Sequence, residues 1–402
     1  MKKTSLVMNS ILVLFIPVIL IIGCKVEYNK NDYLRKVLGK LEHIKSATYN
    51  STLNASAPGD TMEFRTLYSQ TQEYINPIDT FIGSSFGVSQ QSGTSKVSWF
   101  YDGKAEAFLD LNEKTIMIDS FETNSLPFRP ITPPFFNFTK SIIKYALETK
   151  DSITTELKDF GDSIKFSMYI PYKVVEFFGK AFVTDNPYLA RKDAFSKYDI
   201  WIKKSDNLPY RVRRNMPHQT TWQTAENVEF NKINIEDFIL SKKLPPDFTI
   251  NFRGKPKPVN DDLLGKVAPD WVLKDFNETS IALDKLKSKV LMIQFTGIGC
   301  GPCHASIPFL KQLVNDFKNK EFELVSIETW SNNITGIKRY YNNNDLNYKF
   351  LLSTVETTKN YQVTSVPIFF ILDKDRVIRK IIRGYGEVTT EKEIRDAINE
   401  LI

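Results

Sequence analysis

The stretch Val290-Leu291-Met292-Ile293-Gln294-Phe295, followed by Gly299-Cys300-Gly301-Pro302-Cys303-His304, decides the fold of the C-terminal part of this 402-residue chain. Its first six residues form an apolar run of strand length, and Ile307, Leu310, Leu313, Val314 and Phe317 follow the second cysteine at helical spacing. Two cysteines separated by two residues, between a strand and a helix, make a reversible dithiol/disulfide centre. The pattern puts Cys300 at the N-terminus of the helix, where unpaired N–H groups and the helix dipole favour a thiolate. That thiolate is the attacking species in disulfide exchange. Pro302 suits the first helical turn, since the N–H it lacks would have no partner there.

Flanking segments complete the pattern. Leu264-Gly265-Lys266-Val267-Ala268-Pro269-Asp270-Trp271 precedes the central run, and Ser365-Val366-Pro367 leads into the strand-like Ile368-Phe369-Phe370-Ile371-Leu372-Asp373. Together these segments resemble the TlpA/ResA-like thiol–disulfide oxidoreductases. The resemblance implies an α/β thioredoxin fold for residues 256–402, a redox-active disulfide between Cys300 and Cys303, and a cis peptide before a catalytic Pro367 that faces it. It implies protein disulfides as substrates, no cofactor, and a membrane electron donor that re-reduces the dithiol. Gly-Pro between the cysteines is the pair of thioredoxin, whose couple is strongly reducing at about −270 mV. A reductase is therefore expected rather than an oxidase.

Three positions depart from the family pattern. Gly299 stands where a tryptophan usually precedes the first cysteine. Gln294 stands where thioredoxin has a buried aspartate, and Ser306 where ResA-like proteins carry a glutamate. The acids that would help deprotonate Cys303 are thus missing from the matching positions. Glu328, after the strand-like run Phe322 to Ile327, is a candidate substitute, although a solvated carboxylate at a strand end is the plainer reading. His304 completes Cys-x-x-Cys-His, the c-type haem attachment pattern. Haem would need His304 as an axial ligand and usually a second ligand such as Met, yet no His or Met follows it, and His43 and His218 lie far away in a different segment. The alternating strand–helix context also argues against a small helical cytochrome. His304 is read as a partly exposed residue that either tunes the couple through its charge or is a spectator.

The first residues point to export. Met1-Lys2-Lys3 is a basic start, Leu6 to Ile22 an apolar run, and Ile21-Ile22-Gly23-Cys24 resembles a bacterial lipobox. This reads as a signal peptide over residues 1–23, with Cys24 as the lipidated N-terminus and the lipid as the membrane anchor. The alternative is an uncleaved anchor helix. Lys25 stands where an aspartate would suggest inner-membrane retention, so a periplasm-facing place on the outer membrane is favoured. Of three cysteines, one is then assigned to lipid and two to the redox pair, leaving none for a structural bridge.

Residues 24–255 carry a different pattern. Tyr33, Leu34, Val37, Leu38, Leu41 and Ile44 share one face of an opening helix, and strands follow. Asp102-Gly103 marks a hairpin turn between Ser98 and Phe108, and a second hairpin runs from Asp110 to Ile118. Thr139 to Leu147 reads as a helix; Ser163 to Ile170, Tyr198 to Ile202 and Asn207 to Val212 read as strands. The pattern loosely resembles the LolA/LolB-like lipoprotein carriers, which implies an α+β domain with a curved antiparallel sheet closed by helices. Phe135, Phe136, Phe138, Phe177 and Phe178 are candidates to line a greasy cavity, with ordinary core packing as the plainer role. Pro245, Pro246, Pro256 and Pro258 mark an extended linker between the two domains.

The net charge of +6 is spread along the chain, and its nearest cluster, Lys203-Lys204 with Arg211, Arg213 and Arg214, alternates with apolar residues as the outer face of a strand does. Nucleic acid is therefore not an expected partner, and no metal-ligand cluster stands out. The rival to an oxidoreductase is a lipid- or lipoprotein-binding envelope protein with a redox-sensing module.

Overall fold

The computed structural model describes residues 29–57, 63–92, 95–122, 133–183, 194–253, 262–318 and 321–402. The expected signal peptide and Cys24 lie outside them. Helix α1 (Lys30–Glu42) starts at Asn29, whose side chain accepts from the N–H groups of Asn31 and Asp32, and it buries Tyr33, Leu34, Val37 and Leu41. Strands β1 (Ser46–Ser56), β2 (Glu63–Ile75), β3 (Ser84–Ser92), β4 (Ser95–Tyr101), β5 (Glu106–Asp110) and β6 (Thr115–Asp119) follow as an antiparallel meander. The Asp102-Gly103 turn joins β4 to β5, with Asp102 accepting from the N–H groups of Lys104 and Ala105.

Helix α2 (Phe135–Glu148) begins one turn earlier than its apolar spacing suggests. Pro134 offers no capping side chain, and the sheet supplies the cap instead. Tyr49 Oη accepts from Phe135 N at 2.8 Å and donates to Glu73 Oε2 at 3.0 Å, while Glu73 accepts from Phe136 N at 3.3 Å. A carboxylate at a helix N-terminus is favourably placed against the dipole.

Strands β7 (Thr154–Asp159), β8 (Ser163–Pro171), β9 (Val175–Phe177), β10 (Ala181–Val183), β11 (Phe195–Lys203), β12 (Pro209–Asn215) and β13 (Thr220–Phe230) come next, then the short helix α3 (Leu240–Lys243) and β14 (Thr249–Phe252). The large sheet has the order β14-β6-β5-β4-β3-β2-β1-β13-β12-β11-β8-β7, and β9 and β10 pair separately. Part of the stretch read as linker is therefore integrated into the sheet, since β14 runs parallel to β6. The basic cluster is also no open face. Arg213 pairs with the fully buried Asp199, Arg214 points to the other face and pairs with Glu176, and Arg211 lies over Trp222 at 4.3 Å.

The C-terminal residues build a second sheet. Its strands are β15 (Val272–Asp275), β16 (Ser280–Ala282), β17 (Val290–Thr296), β18 (Phe322–Glu328), β19 (Lys349–Leu352), β20 (Ile368–Leu372) and β21 (Ile378–Arg383), in the order β16-β15-β19-β18-β17-β20-β21. Helices α4 (Gly301–Asp316), α5 (Ile334–Asn343), α6 (Val355–Asn360) and α7 (Thr389–Leu401) connect or close it. Strands β17, β18 and β19 are parallel while β20 and β21 run antiparallel, the thioredoxin-like arrangement. All seven residues of β17 are buried, as expected of a strand covered on both faces. Val290 and Met292 pack with α4 residues Leu310 and Leu313, and Leu291, Ile293 and Phe295 pack on the opposite face. The two parts of the chain meet: Ala57, just after β1, joins the buried cluster of Met292 and Leu310. No helix among the described residues is long and apolar enough to cross a membrane.

Phe295 is fully buried, with its ring 5.1 Å from Tyr361 and 5.8 Å from Phe370. Phe295→Ala should lower stability by about 3–5 kcal/mol, the usual cost of an unfilled aromatic site, read as a lower denaturant midpoint. A shift below about 1 kcal/mol would mean that the strand repacks freely.

Candidate active site

The central strand delivers the site. After Thr296 the chain turns through Gly297-Ile298-Gly299, and Gly299 adopts a positive φ of 91° that a side chain would disfavour. This is the position at which the family tryptophan is missing. Trp330, after β18, packs over the same loop, and a Cβ on Gly297 would lie 2.4 Å from its ring. Cys300 is the N-cap of α4, and its Sγ accepts from Cys303 N at 3.2 Å. The two cysteines form a disulfide with Cα atoms 5.3 Å apart, and both are buried, at 5% and 1% exposure. The Val366–Pro367 peptide is cis, and the Val366 carbonyl oxygen lies 3.7 Å from Cys300 Sγ.

The two neutral replacements for family acids bond to each other. Gln294 Nε2 donates to Ser306 Oγ at 3.2 Å, and its Oε1 accepts from Ser326 Oγ at 2.6 Å. Ser306 Oγ in turn donates to the Cys303 carbonyl at 2.7 Å. A buried uncharged chain thus runs from β18 through β17 to the turn of the second cysteine. Its members satisfy one another without carrying a proton acceptor for Cys303.

Glu328 overturns the expectation of a solvated strand end. It is 1% exposed, and it accepts from Ile298 N at 2.9 Å, Trp330 N at 2.8 Å and Ser331 N at 2.9 Å. Burial pushes its carboxyl up to about 7, against the lowering effect of these three N–H groups. The side chain holds the loop before Cys300 to the loop that bears Trp330. His304 lies in the first turn of α4, half-buried, with its ring 6.4 Å from that of Tyr340.

His218, set apart from the site by its distance along the chain, is brought near His304 by the fold. His218, in the turn between β12 and β13, is held down to about 3, first by burial and then by the charges of Arg214 and His304. Its Nδ1 is buried without a hydrogen-bond partner among the described residues. This turn of the first sheet therefore lies near the start of α4. Of the five phenylalanines proposed for a cavity, Phe135 and Phe136 are plain core, while Phe138, Phe177 and Phe178 line one of about 870 Å³ together with Ile298, Thr329 and Trp330.

The raised carboxyl of Glu328 has a definite consequence for stability. The folded state holds its proton between pH 4.5, the ordinary value, and about 7, so the stability that this proton confers is complete below 4.5 and lost as pH rises through 7. The loss is on the order of 3 kcal/mol. Glu328→Gln should flatten this segment of the stability–pH curve in denaturant titrations, at the cost of one mismatched N–H contact. Glu73, also raised to about 7 by burial, keeps its own slope. Parallel curves for the wild type and the variant would remove Glu328 from the account.

Comparison with known proteins agrees with this geometry. The profile of the family described as Redoxin matches residues 263–398. The thiol-disulfide oxidoreductase ResA of a Bacillus cereus strain is 33% identical over 133 residues, which are 32% of this chain and 73% of that protein. ResA of Bacillus subtilis is 27% identical over 136 residues, 34% of this chain and 74% of its own length. A solved structure, a putative thiol:disulfide interchange protein DsbE from Chlorobium tepidum, aligns with a TM-score of 0.32 and 19% identity, covering 34% of this chain and 96% of that one. With a disulfide capping a helix beside the cis-proline loop, residues 263–398 are a redoxin domain, and the chain belongs to the ResA-like thiol-disulfide oxidoreductases, as a thioredoxin-like enzyme.

Proposed function

We propose that this oxidoreductase is a lipid-anchored protein of the cell envelope that reduces protein disulfides outside the cytoplasm. The observation that carries the chemistry is the Cys300–Cys303 disulfide at the N-terminus of α4. In the reduced protein, Cys300 thiolate is stabilised by the Cys303 N–H and the helix dipole. It attacks one sulfur of a substrate disulfide, forms a mixed disulfide and releases the other sulfur as a thiol after protonation. Cys303 then loses its proton and attacks Cys300 Sγ, which breaks the mixed disulfide and frees the second substrate thiol. Two electrons pass to the substrate, and the protein is left as the disulfide. A membrane dithiol donor completes the cycle.

Pro367 and the Val366 carbonyl border Cys300 and hold the substrate chain beside the sulfurs. Gln294 leaves the resolving step without a carboxylate at its position, so the rate follows the free thiolate of Cys303. Glu328 is a positioning residue that fixes both loops, and His304 adjusts the local potential through its charge. The lipobox-like Ile21 to Cys24 supports the anchor, and the antiparallel sheet with α1 and α2 supports a LolA/LolB-like domain over residues 24–255 ahead of the thioredoxin-like domain at 256–402.

Two experiments test this reading. Cys303→Ala should accumulate mixed disulfides with protein substrates, visible on non-reducing gels, and Cys300→Ala should accumulate none. Adducts on both variants in equal yield would sink the assigned order of attack. Cys24→Ser should move the exported protein from the membrane fraction to the soluble one; if it remains bound, the anchor is a retained helix or a partner.

A further inference from the structure

A cavity whose lining reaches Ile298, two residues before Cys300, is walled by both parts of the chain. On one side lies a single face of the large sheet. Leu67, Leu53, Gln223 and Val212 are cross-strand neighbours in one row on β2, β1, β13 and β12, and Ala55, Thr221 and Arg214 form the next. Phe138 of α2 and Phe178 stand against this face. Against it stand Ile298, Thr329 and Trp330, on the two loops that Glu328 ties together. At about 870 Å³ the space is at the upper end of ligand sites, roughly 300–1,000 Å³. It can take a few side chains of an extended segment but no folded surface.

The chemistry of the walls narrows the occupant. The two charged residues among the described lining, Glu176 and Arg214, form an ion pair with each other. The described walls therefore offer no net charge to a phosphate or carboxylate headgroup, and a charged segment would lose its hydration there without compensation. Thr221, Gln223 and Gln219 set hydrogen-bonding groups among apolar side chains, a mixture that serves a peptide backbone with greasy side chains better than a hydrocarbon tail. The disulfide is almost fully covered, so a substrate cysteine has to be presented on a chain that inserts.

We propose that this cavity binds uncharged apolar residues flanking the reactive cysteine of an extended polypeptide, and that the N-terminal sheet thereby selects the substrates of the oxidoreductase. The proposal rests on the assignment of Cys300 as the attacking thiol toward protein disulfides. It adds a substrate class: cysteines on unfolded hydrophobic segments.

The test uses the full chain carrying Cys303→Ala, reduced, and two short uncharged peptides. Each holds one cysteine as a mixed disulfide with thionitrobenzoate, whose release is coloured. One peptide has Leu, Val and Phe flanks and the other Ser and Asn. The apolar peptide should react at least about tenfold faster at limiting concentration, because burial of one large apolar side chain suffices for that factor. Leu53→Trp, which fills the space from the sheet side, should bring the ratio close to one. In the protein with Leu53 intact, a photoreactive phenylalanine in the apolar flank should crosslink to β1, β12 or α2, a readout that does not depend on the folding of the Trp variant. Equal rates for the two peptides, or crosslinks confined to residues beyond 262, would overturn the proposal while leaving the exchange chemistry in place. Release from neither peptide would overturn the assigned chemistry itself. Strong competition by a fatty acid, with no preference between peptides, would give the cavity to lipid instead.

Discussion

A buried carboxylate that accepts three backbone N–H groups is the constraint on which the site depends. Glu328 ends β18, and its acceptors reach Ile298 on one side and Trp330 and Ser331 on the other. The first contact sets the loop that delivers Cys300 to the N-terminus of α4. The others set the loop whose indole covers Gly297 and lines the cavity. Loop backbone groups removed from water need partners, and an unpaired one costs as much as a lost hydrogen bond. One side chain supplies three of them, at the expense of burying an acid whose ionisation is correspondingly hard.

The same region handles its other polar positions by the opposite strategy. Gln294, Ser306 and Ser326 form a neutral chain in which each group has a partner. A carboxylic acid here would give Cys303 a proton acceptor, but it would place a second buried acid in the same site as Glu328. Like charges in a poorly solvated site raise one another's pKa, so two such acids would hinder each other's ionisation. The neutral chain keeps β17 and α4 in register without that conflict. The cost falls on kinetics, because the resolving thiol must lose its proton without a carboxylate at the Gln294 position.

What the sequence made legible follows from how local each feature is. The strand, turn and helix around Cys300 lie within one short segment, so spacing and residue type define the disulfide. Asp102-Gly103 defines its hairpin for the same reason. The start of α2 was not legible, because its cap comes from Tyr49 and Glu73, whose strands are far away in the chain. Glu328 read as solvated because nothing adjacent in sequence announces that Ile298 will donate to it across a separation of 30 residues. Gln294 was recognised as a departure, but its partner Ser326 is 32 residues away. The cavity is the extreme case, since Leu53 and Ile298 line one space only after two sheets have formed and met.

That meeting changes what the redox centre can do. A dithiol on an open surface would exchange with any disulfide that diffuses to it, and its selectivity would come from thiol pKa and leaving group alone. Here the sulfurs are covered, and the loop that delivers Cys300 borders, at Ile298, a cavity whose other wall is a separate sheet. Binding energy from residues remote from the sulfur can then be used to position it, so the rate depends on the sequence around the substrate cysteine as well as on its redox state. Arg214 and Glu176 fit this role because they neutralise each other at the wall instead of attracting a counter-ion. His218, in the turn between β12 and β13, carries no charge near neutral pH, since burial, with Arg214 and His304 nearby, keeps its imidazole unprotonated. An internally neutralised wall next to the loop that delivers Cys300 favours an uncharged, unfolded chain, and residues from both parts of the protein then bear on one substrate.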